Sequence, residues 1–121
     1  MAKKKFALVG ASARGREMYG IPMIEEYSDV CELVGVFDIN YGRACVVAAD
    51  CGGAPVFTDF DEMIEKAKPD CIIISTVDKF HAEYIIRGIK AGVQVYTEKP
   101  MCINAQQCRE ILETEREYGV H

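Results

Sequence analysis

The chain has 121 residues, half of them hydrophobic and 27% charged, with a formal net charge of −5. This size and composition predict one globular domain with its own core. The acidic balance argues against a nucleic-acid partner, which would require a basic surface. No apolar run approaches the length needed to span a membrane, so we expect no membrane partner either.

Six cysteines raise the question of a metal site or of disulfides. None forms a C-x-x-C pair, and His81 and His121 lack the spacing of zinc-finger ligands. Most of the cysteines have apolar neighbours, among which cysteine behaves as a small hydrophobe. The basic start, Lys3 to Lys5, leads into too short an apolar run for a secretory signal. The sequence therefore predicts free thiols in a reducing cytoplasm and no metal site.

The first element is an apolar strand, Phe6 to Val9, that runs into a glycine turn. Dinucleotide-binding turns follow the pattern G-x-G-x-x-G, and here the three glycine positions hold Gly10, Ser12 and Gly15. Serine replaces the glycine that lets backbone approach a pyrophosphate, but it is small and its hydroxyl can donate to a phosphate oxygen. A helix beginning near Arg14 would point free N–H groups at that anion. An ordinary strand-to-helix turn remains the alternative interpretation.

Strand and helix signals alternate along the rest of the chain. We predict the first helix from Arg14 to about Tyr27, with a kink or restart near Gly20 because Pro22 lacks a backbone N–H. The last helix is expected to turn Ile111 and Leu112 inward. Three later helices have predicted N-terminal caps, at Asn40, Asp59 and Asn104. The predicted strands are Phe6–Val9, Cys31–Asp38, Pro55–Phe57, Asp70–Thr76 and Val93–Tyr96.

Five strands alternating with five helices predict an α/β fold, a doubly wound parallel sheet of the Rossmann type with helices on both faces. Right-handed crossovers then favour the strand order 3-2-1-4-5. A dinucleotide fold would continue into a sixth strand after Val120, so we expect residues 1–121 to be one domain of a longer protein. A complete, small flavodoxin-like domain is the alternative.

Polar residues follow the second and fourth predicted strands, where ligands bind in such sheets. Asp38 closes the second strand, and its carboxylate can accept both ribose hydroxyls of an adenosine and repel a 2′-phosphate. This favours NAD over NADP, the alternative being a solvent-facing turn aspartate. Arg43 could soften that preference, although a surface position on the second helix is favoured. Ser75, Thr76 and Val77 could line the nicotinamide half of the cofactor, and His81 is either a site residue or part of the next helix.

Two further segments make the chain resemble a known family. Glu98, Lys99 and Pro100 directly follow the fifth predicted strand, and STVDKFHAEY occupies Ser75 to Tyr84. In this order the segments resemble the Gfo/Idh/MocA oxidoreductases, typified by glucose–fructose oxidoreductase and inositol dehydrogenase. The resemblance covers essentially the whole chain and includes TDFDEM at Thr58–Met63 and IKAGVQV at Ile89–Val95.

The resemblance implies an NAD-dependent transfer of hydride between a sugar, polyol or related hydroxyl substrate and nicotinamide. Its E-K-P lysine, here Lys99, would lie beside the nicotinamide and hydrogen-bond the substrate hydroxyl. A second α/β domain, which supplies a histidine and usually an aspartate and often mediates homo-oligomerisation, is implied but absent from this sequence. Two positions depart from the family pattern: Ser12, and Val77 where proline is common.

Two other functions remain open at this stage. Some proteins that resemble the family use transient oxidation to cleave glycosides or to eliminate, without net redox change, and a non-catalytic dinucleotide-sensing regulator is also compatible. The predicted catalytic residue is Lys99. The predicted cofactor-binding residues are Gly10, Ser12, Ala13, Arg14, Gly15, Asp38, Ser75, Thr76, Val77, His81, Glu98, Lys99 and Pro100.

Overall fold

The computed structural model describes residues 3–12, 19–76, 80–97 and 104–119, without the side chains of residues 23 and 24. The strands of this part of the chain are β1 (Lys4–Val9), β2 (Cys31–Phe37), β3 (Val56–Phe57), β4 (Cys71–Ile74) and β5 (Gln94–Thr97). Its helices are α1 (Ile21–Glu25), α2 (Tyr41–Asp50), α3 (Phe60–Ala67), α4 (His81–Lys90) and α5 (Ala105–Tyr118).

The five strands form one sheet in the order β3-β2-β1-β4-β5, and every neighbouring pair is parallel. This confirms the predicted doubly wound fold. The order reverses between β1 and β4, which makes their carboxyl ends the switch point where such sheets bind ligands. Gly10, Asp38 and Ser75, which directly follow three of these strands, therefore lie at one edge of the sheet.

Both faces of the sheet are buried, which explains the uninterrupted apolar runs of the strands. Along β1, Ala7 and Val9 belong to one hydrophobic cluster and Leu8 to the other. Along β4, Ile72 and Ile74 face the first cluster, while Ile73 faces the second. Residues of α3, α4 and α5 complete the first cluster, and residues of α2 complete the second.

Side-chain caps begin three of the helices as predicted. Asn40 Oδ1 accepts a hydrogen bond from the backbone N–H of Arg43 at 3.0 Å. Asp59 caps α3 in the same way, at 3.1 Å, and Asn104 caps α5 at 2.8 Å. α1 begins directly after Gly20 and carries its proline in the first turn, where the missing N–H has no helical partner to lose. The predicted kink or restart near Gly20 stays a prediction, because residues 13–18 lie outside the described residues.

One local prediction was wrong. Leu112 is 52% exposed, whereas Ile111 and Thr114 are buried on the inner side of α5. Adjacent helix residues are turned about 100° apart, so the side that buries Ile111 carries Thr114 rather than Leu112. The Thr114 hydroxyl donates to the Glu110 carbonyl at 2.7 Å, which lets it lie in the core. The first helix ends at Glu25, and the N–H of Tyr27 still donates to the Pro22 carbonyl, in agreement with the predicted end near Tyr27.

Candidate functional site: a cavity at the carboxyl ends of the strands

A cavity of about 440 Å³ opens at the switch-point edge of the sheet. Its volume is within the range of ligand-binding pockets, about 300–1,000 Å³. The residues that line it follow β1, β2 and β4 or belong to the first turns of α2 and α4: Gly10, Ala11, Ser12, Phe37, Asp38, Ile39, Asn40, Arg43, Ser75, Thr76, Phe80 and Tyr84. The structure therefore brings together the predicted residues Gly10, Ser12, Asp38, Ser75 and Thr76.

Gly10 occupies a position that a larger residue could not take. Its φ is +100°, in the region that favours glycine. A Cβ at this position would lie 2.7 Å from the backbone nitrogen of Thr76 and 2.8 Å from the carbonyl carbon of Ser75. The end of β1 thus lies directly against the end of β4. The Ser75 N–H also donates to the Val9 carbonyl at 2.8 Å and holds the two strand ends together.

Two hydroxyls connect the glycine turn to β4. The Ser75 hydroxyl, which is buried, donates to the Gly10 carbonyl at 3.0 Å. The Ser12 hydroxyl donates to Ser75 Oγ at 3.3 Å. We call Gly10, Ser12 and Ser75 the glycine wall. Its side chains are small and uncharged, so the wall leaves backbone close to the cavity.

Asp38 lies across the cavity and holds two loops with one carboxylate. Its Oδ2 accepts the N–H of Ala11, in the glycine turn, at 2.9 Å, and its Oδ1 accepts the N–H of Asn40 at 2.8 Å. A carboxylate offers about four acceptor positions, so each oxygen can accept one more hydrogen bond. Asp38 can thus bind a diol in the cavity while it continues to hold the turn.

The loop after β2 gives this side of the cavity its charge. We call Asp38, Ile39, Asn40 and Arg43 the β2 rim. Arg43 is exposed on the first turn of α2 and also lines the cavity. The surface position favoured from the sequence is confirmed, and its effect on a 2′-phosphate stays a prediction. Ile39 is 75% exposed although it is apolar. The rim thus offers a carboxylate, a guanidinium and an aliphatic surface side by side.

Aromatic side chains at the cavity were not predicted from the sequence as site residues. Tyr84 lies with its ring 5.4 Å from the ring of Phe37, edge to face, and 5.4 Å from that of Phe60. Arg87 packs over Phe60 at 4.6 Å from the ring centroid. Burial raises the pKa of the Tyr84 phenol, with nearby Glu83 adding to the effect. Tyr84 therefore presents a neutral aromatic surface to the cavity. Its position one helical turn after His81 was the one feature of the sequence that could have indicated this.

His81 lies behind the cavity rather than in its lining. It is the first residue of α4, 1% exposed, and its Nε2 is 3.0 Å from the Thr76 carbonyl oxygen. The ring nitrogen donates in this bond, because a carbonyl can only accept. His81 thus holds the Thr76 carbonyl, and its position matches the helix-start alternative considered from the sequence. Its role as a site residue stays a prediction.

The remaining predicted site residues are not in the described part of the chain. They are Ala13, Arg14, Gly15, Val77, Glu98, Lys99 and Pro100. Their assignments stay predictions. Within residues 3–12, 19–76, 80–97 and 104–119, no three His, Cys, Asp or Glu side chains come together in a way that could hold a metal ion. None of the helices described is long and apolar enough to cross a membrane.

Parallel topology, a glycine turn at the switch point and a carboxylate after the neighbouring strand define a domain of the Rossmann class. A family model places it further: the chain belongs to the Gfo/Idh/MocA family, described as an oxidoreductase family with an NAD-binding Rossmann fold, and the match covers residues 4–121. This confirms the resemblance inferred from the E-K-P and STVDKFHAEY segments.

Individual relatives agree with the family assignment. The inositol 2-dehydrogenase of Azotobacter vinelandii is 37% identical over 73% of this chain and 26% of its own length. The 2,7-anhydro-N-acetylneuraminate hydratase of Mediterraneibacter gnavus is 30% identical over 95% of this chain and 29% of its own length. The WlbA dehydrogenase of Chromobacterium violaceum, solved with NADH and UDP-GlcNAcA, has a TM-score of 0.89 and 27% identity over 98% of this chain and 34% of its own.

The chain therefore spans about a quarter to a third of the length of these relatives. It corresponds to their dinucleotide-binding domain, since the matching family model describes that fold.

Proposed function

We propose that the chain is the cofactor domain of an NAD-dependent oxidoreductase that transfers hydride between a hydroxyl of a sugar or polyol and nicotinamide. The observation that carries the proposal is the cavity between the glycine wall and the β2 rim. Asp38 lies on one side of this cavity with acceptor positions left for ribose hydroxyls. The named activities of the inositol dehydrogenase and the WlbA dehydrogenase support the substrate class.

The preference for NAD over NADP is part of the proposal. A carboxylate at the ribose position accepts from two hydroxyls and repels a 2′-phosphate. Arg43, on the same rim, reduces this repulsion, so we expect NADPH to bind more weakly than NADH without being excluded. Fluorescence titration of the intact protein with the two reduced cofactors tests this, and tighter binding of NADPH would contradict the preference.

As the resemblance implies, we propose that a second domain forms the substrate side of the site. That domain would supply the histidine and the aspartate that act with Lys99. When bound, NAD would supply the hydride acceptor. The chain would hold the dinucleotide and place the Lys99 ammonium at the substrate hydroxyl. Homo-oligomerisation and a cytoplasmic location belong to the same proposal. The free cysteines at positions 31, 45, 71 and 108 support a reducing compartment.

Lys99→Ala in the intact protein tests the catalytic assignment. We expect kcat to fall by about 100-fold or more, while the Kd for NADH stays within about twofold, because the lysine is proposed to act on the substrate hydroxyl. Lys90→Ala, at the exposed end of α4, is the matched control and should leave both values unchanged. Activity that survives in Lys99→Ala would remove the catalytic role and favour the dinucleotide-sensing regulator.

A second function has support from one relative. The Mediterraneibacter gnavus protein aligns with 95% of this chain and is named a hydratase rather than a dehydrogenase. An NAD-dependent elimination or cleavage by transient oxidation is therefore the second candidate. Stoichiometric accumulation of NADH during turnover would favour the dehydrogenase, whereas turnover without added cofactor and without net NADH would favour the second candidate.

A further inference from the structure

The ring of Tyr84 is held at the cavity by contacts with three other side chains. It lies 5.4 Å from the ring of Phe37, at the end of β2, and 5.4 Å from that of Phe60, the first residue of α3. The Arg87 guanidinium, one turn later on α4, lies 5.7 Å from the centre of the Tyr84 ring and pairs with Asp61 Oδ1 at 3.0 Å. The position of the ring is thus fixed before any ligand binds.

The hydroxyl of Tyr84 is not used by the protein. Among the described residues it has no hydrogen-bond partner, whereas each fully buried side-chain nitrogen or oxygen of these residues has one. The hydroxyl oxygen therefore keeps contact with solvent. Because Tyr84 is only 8% exposed and lines the cavity, this contact is made through the cavity. Ligand pockets are mostly apolar and recognise their ligand through a few polar groups placed in this way.

The hydroxyl lies near the acidic side of the cavity. Phe37, whose ring contacts that of Tyr84, is directly followed by Asp38, the proposed ribose acceptor. Burial raises the pKa of the Tyr84 phenol, and the charge of Asp38 contributes to the rise, so the two groups lie near each other. The phenol stays protonated at neutral pH and can donate, while the ribose oxygens and the ring nitrogens of adenosine can accept.

We propose that Tyr84 is a specificity-determining residue whose hydroxyl donates a hydrogen bond to the adenosine half of the cofactor, and that Arg87 positions its ring. This inference rests on the proposed dinucleotide function. The residues of the general dinucleotide motif lie in the glycine turn and after the second strand. Tyr84 adds to them a donor from α4, at a position to which that motif assigns no role.

Tyr84→Phe in the intact protein tests the proposal, because it removes the hydroxyl and keeps the ring. By calorimetry, NADH and ADP, which share the adenosine half, should bind about fivefold more weakly. Reduced nicotinamide mononucleotide, which lacks that half, should bind as before. The urea midpoint of unfolding should stay the same or rise, since no hydrogen bond within the protein is lost. Tyr118→Phe, at an exposed position of α5, is the matched control and should change none of these values.

A second pair of variants tests the positioning role of Arg87. Arg87→Lys keeps the charge but loses the planar group that lies over the rings. It should weaken ADP about twofold in the presence of the Tyr84 hydroxyl and should have no effect on ADP in the Tyr84→Phe background. Losses of equal size in the two backgrounds would show that Arg87 does not act through the hydroxyl.

Other results would overturn the assignment of Tyr84 itself. Unchanged binding of ADP and NADH in Tyr84→Phe would show that the hydroxyl contacts only water, and a loss confined to the mononucleotide would place it at the nicotinamide half. A lower urea midpoint with equal weakening of all ligands would show a structural tyrosine. Failure of the unsubstituted protein to bind NADH and ADP would instead refute the proposed function.

Discussion

The two sides of the cavity are built on opposite principles. The glycine wall is formed by small, uncharged residues and depends on backbone contact, since a Cβ at Gly10 would lie 2.7 Å from Thr76. The β2 rim is charged and partly exposed, and it depends on the two oxygens of Asp38. The first side is specified by shape and the second by charge. Substitution of Gly10 should therefore affect folding, and substitutions in the rim should affect ligand choice.

The largest effect is expected from Gly10→Ala. The added Cβ would meet backbone atoms of Ser75 and Thr76, at a φ of +100°, so the ends of β1 and β4 must separate. We expect the free energy of unfolding, measured with urea, to fall by about 3 kcal/mol or more. Gly92→Ala is the matched control: its φ is +77°, but nothing lies within 4 Å of the added Cβ, so about 1 kcal/mol is expected. Equal losses of unfolding free energy in the two variants would mean that position 10 tolerates a Cβ.

The second largest effect is expected from Asp38→Asn, which removes the charge of the β2 rim and tests whether the glycine turn depends on it. An amide nitrogen in place of one oxygen would face the N–H of Ala11 or of Asn40, and neither can accept. We expect NADH to bind about tenfold more weakly, because the glycine turn loses the bond from the Ala11 N–H. The affinity for NADPH should not rise for the same reason, even though the charge that repels its 2′-phosphate is gone.

Asp59→Asn is the control for this prediction, because Asp59 caps α3 through one oxygen and an asparagine can cap equally well. Its cofactor affinities should be unchanged. A clear rise in NADPH affinity in Asp38→Asn would show that the carboxylate affects only the ribose. The glycine wall would then not depend on the β2 rim.

A smaller effect is expected from Arg43→Ala. The guanidinium is exposed, so its attraction for a 2′-phosphate is screened by salt. We expect NADPH to bind about threefold more weakly at low ionic strength and NADH to be unaffected. Arg109→Ala, on an exposed position of α5, is the control. A loss for both cofactors alike would place Arg43 against the shared part of the dinucleotide instead.

The smallest change is expected at Cys71, on the strand that leads to Ser75. Burial raises the pKa of this thiol to about 12, a rise that Lys4 partly opposes. At pH 8 only about one molecule in 10⁴ carries the thiolate, so a maleimide should not modify Cys71 in the folded protein. The half-buried Cys31 and Cys108 serve as internal controls, read by peptide mass spectrometry. Modification of Cys71 at the same rate would show that the strand beneath the wall opens readily.

The same raised pKa gives stability a pH dependence. Above about pH 9 the thiol ionises in the unfolded chain but stays protonated in the folded one, so the unfolded state binds fewer protons and the free energy of unfolding falls as pH rises toward 12. Cys71→Ala should flatten this part of the curve, and an unchanged slope in this variant would contradict the assignment of the pH dependence to Cys71.

Much of the fold was predictable because its signals are local. The apolar runs of β1, β2 and β4 mark strands buried on both faces, and the caps at Asn40, Asp59 and Asn104 act on N–H groups three residues away. Where the local signal was ambiguous, the prediction failed: Ile111 and Leu112 are both apolar, and only packing against α4 decides which of them is buried.

The sequence by itself determined the class of fold, the family and several residues that line the cavity, since strand ends, caps and the glycine turn are encoded in consecutive residues. Only the tertiary structure decided how these places act together. Asp38 holds the N–H of Ala11, 27 residues away, and Ser12 reaches Ser75 across 63 residues. Such contacts depend on the register of neighbouring strands and on the path of the loops after them, and neither the hydrophobic periodicity nor the predicted strand order specifies these.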